Sequence, residues 1–223
     1  MEKKSLQSPR TKIKRVPKRG LYDPTSIYNV LDAAYLANIG FNYQEQPFVI
    51  PTLYGRLGEY LYIHGAASSR MLKSIVSQTI CLSVSLVDGL VLARSAFHHS
   101  MNYRSVNLLG KPIVVDSPEE KELGLKIISE HLIPNRWDEV RPPNSKELKG
   151  TTVLKLKIEE GAAKIRVGHP KDEKEDYNLP IWAGQIPLQT STLKAIPDDR
   201  LDPTIPISNS VQKYIQKHSK LVE

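Results

Sequence analysis

Between Leu90 and Ser105 (LVLARSAFHHSMNYRS) the chain passes from apolar strand residues into a crowd of groups that can donate, accept or titrate. Arg94, His98, His99, Ser100, Asn102, Tyr103, Arg104 and Ser105 fall close together. Polar groups withdrawn from water must find hydrogen-bond partners or cost stability, so this crowd either satisfies itself or faces a polar ligand. A histidine with a near-neutral pKa, lining such a pocket, can pass a proton to a reduced substrate. His98 and His99 are neighbours on an extended segment and point to opposite sides, so they do not share one ion, and no metal site is expected.

A second constellation follows an expected strand. His64, Gly65 and Ala66 break it, and Ser68, Ser69 and Arg70 open a short helix carrying Met71, Leu72, Ile75 and Val76 on its apolar side. Free N–H groups, the helix dipole and a guanidinium together suit a phosphate. Ser69 serves equally well as a plain helix cap, and both readings stand at this point. Cys81 is the only cysteine, which excludes disulfides within the chain and Cys-based zinc sites, and favours a reducing, cytoplasmic location. No apolar run approaches the roughly 18 residues of a membrane span.

The charge of +7 is unevenly placed. Residues 1–19 hold eight Lys and Arg against Glu2 alone, so the whole surplus lies there and the remainder is formally neutral. A basic lead-in to a neutral domain is read as a mobile arm, and nucleic-acid binding is not expected. Three divisions follow: a basic flexible arm over residues 1–13, one domain over 14–190, and a proline-containing tail over 191–223 that holds at most a short amphipathic helix at 210–218.

The elements that must position these groups are mostly strands. Ile27, Val30, Leu31, Ala34 and Tyr35 recur at helical spacing and predict a helix over 27–38, ended by Gly40. PFVIPTLY (47–54) and EYLYIH (59–64) predict a hairpin turning at 56–58. Pro51 has no N–H to give, which places it at an edge or where a ladder opens and backbone groups are free. TICLSVSLV (79–87) alternates apolar and small residues, and Asp88-Gly89 predicts a tight turn into the Leu90 stretch, with strand continuing over 103–115. Ser117 with Glu120 predicts a capped helix to about Leu132, His131 lying half-buried at its end. Residues 151–158 alternate as another strand, and LPIWAGQIPL (179–188) is a late apolar segment.

Helix, five or six antiparallel strands and a late crossing helix predict a mainly β fold, a six-stranded antiparallel split β-barrel with a few flanking α-helices. FVIPTLY, YIHGAASSRM, the SVSLVDGLVLARSAFHHSMNYRSV pair and WAGQIPL, in this order, resemble the flavin-nucleotide-binding branch of the pyridoxamine 5′-phosphate oxidase-like superfamily. The resemblance covers roughly residues 12–190. It implies an FMN-binding homodimer with the flavin between the protomers and a small-molecule redox substrate, as in a flavin-dependent oxidoreductase. The ring would lie along Ile50, Pro51, Thr52, Leu53 and Tyr54, touching their backbone. The phosphate would be held by His64, Ser69, Arg70 and Met71, although related members read Gly-Arg-Lys where this chain has Ser69-Arg70-Met71. Trp182 matches a late tryptophan that approaches the flavin in some members or packs at the interface. The C-terminal Arg-and-His segment of the true pyridoxamine phosphate oxidases is missing, so vitamin B6 oxidation is not expected. A bound flavin supplies the redox chemistry, which is why no catalytic residue stands out. The alternative is a non-catalytic flavin carrier or a haem-handling split barrel, with His98 or His99 on the iron.

Overall fold

The computed structural model describes residues 5–219. Its strands and helices are, in chain order, β1 (Gly20–Leu21), α1 (Pro24–Asp32), β2 (Leu36–Tyr43), β3 (Gln46–Leu53), β4 (Gly55–Leu57), β5 (Tyr60–Ala66), α2 (Arg70–Ile75), β6 (Ile80–Leu92) and β7 (Ser100–Gly110). There follow β8 (Ile113–Val114), α3 (Pro118–Leu132), α4 (Ser145–Gly150), β9 (Thr151–Lys157), β10 (Glu160–Arg166), β11 (Gly184–Pro187) and α5 (Asn209–His218). All strand pairs are antiparallel. The larger sheet runs β1-β10-β7-β6-β2-β3 with β11 also on β6, and the smaller runs β4-β5-β9-β8. The chain is mainly β, as expected, and β1, β4, β8 and β11 add short strands to the long ones.

One core joins the two sheets. Ile39, Leu82, Val84, Val106 and Leu108 from the larger sheet meet Leu61, Ile63, Leu154 and Leu156 from the smaller, with Ile27 and Leu31 of α1. Withdrawing such side chains from water is the main stabilising term of the fold. A second cluster forms where α3 covers the smaller sheet, with Ile127 and Ile128 against Tyr62, Val115 and Val153. Asp23 caps α1 by accepting the Ser26 N–H at 2.9 Å, and Ser117 caps α3 by accepting the Glu120 N–H at 3.0 Å.

Three expectations need correction. The first helix ends at Asp32, and Leu36–Tyr43 is a strand held between β3 and β6, because inward Ala37, Ile39 and Phe41 alternate with period 2. The 47–54 segment therefore pairs with β2, and the 59–64 segment pairs with β4 and β9. Asp88-Gly89 does not reverse the chain. It makes a bulge inside the single long β6, where the register against β7 shifts between Val87 and Gly89, and the reversal comes at residues 93–99.

Both ends of the described chain are packed on the body, against the reading of a free arm and tail. Leu6 is core at 2% exposure, and its backbone bonds to Tyr22 and Gly161 at 2.8 and 2.9 Å. Ser8 and Arg10 both bond the Glu160 carboxylate. Of the arm assigned to 1–13, residues 1–4 lie outside the described residues, as do residues 220–223 of the tail. Helix α5 folds back so that Tyr214 donates to Tyr35 at 2.6 Å and the Ser210 N–H donates to Glu139 at 2.9 Å. Among the described residues no helix is long and apolar enough to cross a membrane.

Candidate functional site

The polar crowd after Leu90 largely satisfies itself. The Arg94 N–H and guanidinium both reach Asp172, at 2.9 and 3.1 Å, so the loop at 93–99 is fastened to a segment that is far away in sequence. Desolvation opposes ionisation of Asp172, but the Arg94 guanidinium and the Arg94 and Ser95 N–H groups outweigh it and hold the carboxyl below its usual range. His99 Nδ1 accepts the Ala93 N–H at 3.0 Å, which takes up that ring nitrogen. His98 lies 3.4 Å from Glu173. Arg104 grips Asp88 at the bulge with three contacts of 2.6–3.2 Å, and Asn102 bonds both Gln185 and Arg166. Here the structural alternative explains the pattern, and the proposed haem ligands His98 and His99 are each engaged in it.

The residues expected along a flavin ring divide by face. β3 is the edge strand of the larger sheet, so one row of its backbone groups has no neighbouring strand, as Pro51 foretold. Pro51 and Leu53 are exposed, while Ile50 and Thr52 turn to the half-buried face, Ile50 against the core. Tyr54 is fully buried and its hydroxyl donates to the Leu31 carbonyl, so its side chain is core and only its backbone is available to a ligand. Burial pushes its phenol pKa well up.

Of the residues expected to hold a phosphate, Ser69, Arg70 and Met71 each have a partner within the protomer. Helix α2 has six residues, and the Ser69 hydroxyl accepts the Leu72 N–H at 3.3 Å as an ordinary cap. Arg70 lies 5.1 and 5.5 Å from the ring centroids of Tyr43 and Phe48, a cation–π seat at the β2–β3 turn. Met71 packs against the core. Trp182 is 65% exposed with its ring over Gly184, where an added Cβ would come within 3.0 Å of it.

His64 is placed elsewhere. It projects from β5 on the side facing α3, into a cleft of about 580 Å³. Leu53, Leu125, Ile128 and Leu132 line this cleft together with Trp137 and Pro143. The structure thus joins His64 to Leu53, another expected site residue. Glu130 fixes the turn that presents Trp137, accepting the Asn135 and Trp137 N–H groups at 2.6 and 2.8 Å. At the rim Arg141 forks onto Glu147 at 2.8 and 2.5 Å, and the Arg141 contact holds the Glu147 carboxyl down at about 2. Glu147 also closes the capping box of α4 with Asn144.

The electrostatics of His64 are unusual. Its Nδ1 is shut off from solvent with no hydrogen-bond partner, and burial pushes the imidazole pKa down. The ring is therefore neutral at pH 7, and a neutral imidazole keeps one nitrogen lone pair that can act as acceptor or metal ligand. A neutral imidazole in an apolar, ring-sized cleft is the donor that a haem iron takes, and the lining fits a flat apolar macrocycle. Leu125, Ile128 and Leu132 of this site stood in the sequence at helical spacing, but nothing there tied them to His64.

Comparisons with known proteins agree with this architecture. A family model described as pyridoxamine 5′-phosphate oxidase matches residues 23–165. The structure of the flavocytochrome Anf3 from Azotobacter vinelandii superposes with a TM-score of 0.88 at 40% identity, covering 92% of this chain and 96% of that one. A FAD and heme binding protein from Mycobacterium smegmatis gives 0.84 at 30% identity, covering 87% and 96%. A search of curated proteins finds no match. With the family pattern spanning most of the chain and both relatives aligned along nearly their whole length, this chain belongs to the pyridoxamine 5′-phosphate oxidase-like family.

Proposed function

We propose that this protein binds a flavin and a haem together and works as a redox protein. The observation that carries the reading is His64, a half-buried imidazole with a lowered pKa that lines a largely apolar cleft of about 580 Å³. The relatives aligned along nearly the whole chain, a flavocytochrome and a FAD and heme binding protein, support the same pair of cofactors. When bound, the flavin exchanges one or two electrons and the haem one, so the two together can split a hydride equivalent into single electrons. The chain's own contribution is to orient and to exclude water. Leu125, Ile128, Leu132 and Trp137 would flank the haem, and Arg141, which lines the same cleft and is paired with Glu147, would be the guanidinium within the lining that could meet its carboxylates.

The flavin is read on the exposed edge of β3, with Pro51 and Leu53 presenting open backbone to the ring. FMN, which the resemblance implies, and FAD, which the Mycobacterium relative is described as binding, share that ring. We assign FAD. A homodimer is the proposed assembly. The outer face of the larger sheet carries small or polar Asn38, Ser83, Ser85 and Ser105 in register across its strands, rimmed by exposed Leu36 and Val87. Such a flat patch with an apolar rim suits a second copy.

The purified protein is expected to show flavin absorption together with a Soret band. His64→Ala should lose the Soret band and keep the flavin. Retention of full haem content by that variant would remove His64 from the iron, and a colourless wild type that takes up neither cofactor would end the reading. Consumption of NAD(P)H with quinone or nitro acceptors separates an oxidoreductase from a passive carrier.

A further inference from the structure

The basic N-terminal segment has no role in either cofactor site above, yet the structure fixes it in place. Leu6 anchors it in the core, Arg10 and Ser8 hold Glu160, and the Ile13 N–H donates to the Tyr22 hydroxyl at 2.8 Å. Immediately afterwards Val16 has φ 54°, a left-handed conformation that is strained for a β-branched residue. The segment so held lies beside β6, β7 and β10 of the larger sheet.

The result is a cleft of about 530 Å³ with basic walls. Lys12, Lys14 and Arg15 of the segment and Lys164 of β10 line it together with Cys81, Asn107, Leu109 and Ala162. Arg10 is neutralised by Glu160. Lys12, Lys14, Arg15 and Lys164 make no ion pair among the described residues. Four like charges gathered without a counter-charge repel one another, and an anion placed among them relieves that repulsion.

Next to this cleft, sharing Cys81 and Leu109, runs a trough of about 330 Å³ lined by Phe41, Pro47, Phe48, Val49 and Ile80. A cationic chamber opening into a narrow apolar one suits a ligand with phosphates at one end of a flat ring system.

We propose that the cleft binds the adenosine diphosphate part of a dinucleotide, with the two phosphates on Lys12, Lys14, Arg15 and Lys164 and the purine in the neighbouring trough. The source is either the bound FAD itself, which rests on the flavin reading above, or a nicotinamide dinucleotide serving as electron donor. The shared chemistry is the pyrophosphate.

The test compares the full-length wild type with the double variant Lys14→Glu/Arg15→Glu. Both side chains are exposed, so the variant keeps the fold. If FAD is the occupant, the variant purifies depleted of FAD, and its affinity for added FAD falls at least about tenfold, while that for FMN changes less than about twofold. If a nicotinamide dinucleotide is the occupant, flavin content is unchanged and the Kd for NADPH and for free ADP rises at least about tenfold. Either loss should shrink at 0.5 M salt. Wild-type FAD content together with wild-type ADP and NADPH affinity in the variant would overturn the proposal, as would displacement of bound ADP by no nucleotide but only by duplex DNA. A protein that purifies without flavin but loses ADP binding in the variant keeps this cleft and rejects the flavin reading alone.

Discussion

Tyr54 and His64 are close in sequence and both withdrawn from water, yet only Tyr54 has a hydrogen-bond partner. The Tyr54 hydroxyl donates to the Leu31 carbonyl in the core. Tyr54→Phe removes one donor to that carbonyl, which also accepts the Ala34 N–H at 3.5 Å, so a loss of about 1 kcal/mol in urea unfolding is expected, with cofactor content unchanged. His64 is the opposite case. Its orphaned Nδ1 is a cost in the cofactor-free protein, and His64→Leu should stabilise that form by about 1 kcal/mol. The pH dependence follows from its depressed pKa. The unfolded chain binds the proton more readily, so stability is complete above the ordinary value of about 6.5 and falls as pH drops toward the lower folded value. Unfolding of the cofactor-free protein at pH 5 and 7.5 should show this decline, and His64→Leu should abolish its share. Little of this was legible beforehand. His64 was singled out for a phosphate because Ser68, Ser69 and Arg70 follow it, but the side chains that surround it come from α3 and the segment before α4, some sixty to eighty residues later.

At the scale of elements, the cleft depends on how closely α3 lies on the smaller sheet. Gly55 of β4 makes that approach possible, since a Cβ there would come within 2.7 Å of the Ile127 backbone. Backbone cannot yield as a side-chain tip can. Gly55→Ala is therefore expected to cost about 1–3 kcal/mol and to lower haem retention by displacing α3. Gly150→Ala, with nothing within 4 Å of the new Cβ, is the matched control and should be near neutral. Elements whose signals are local were readable: the Ser117 cap, the alternation of β9 and the odd proline in β3. The failures were elements decided by distant neighbours. LANIGFNY continues a helical spacing by coincidence and becomes β2 because β3 and β6 pair with it. Asp88-Gly89 is a strong hairpin signal, but β7 and β11 both continue past it on either edge of β6.

For the whole molecule, the net charge was located correctly along the chain and misplaced in space. Eight basic residues in the first nineteen suggested a mobile arm, whereas Leu6, Glu160 and Tyr22 bind that segment to the sheet. The assembly can be tested at this scale. Sedimentation or light scattering should give a mass near twice 25.1 kDa, and Ser85→Lys/Val87→Glu, on the outer face of β6, should halve it and weaken flavin retention with it. An unaltered mass would place the interface elsewhere.

The long strand β6 carries a further implication. One of its edges pairs with β7, while the other meets β2 near its start and β11 near its end, the last pairing bringing Leu92 to Gly184. Tyr35 closes on Tyr214 from still farther along the chain. Contacts this remote in sequence have a large loop-closure penalty before any packing rewards them, which slows folding into the millisecond-to-second range. During synthesis, β6 must wait with that edge half open until β11 has left the ribosome. A nascent chain arrested before residue 184 should therefore remain protease-sensitive at Leu90–Leu92, and the cell's window for protecting that edge, or for loading cofactors before it closes, is set by translation rather than by affinity.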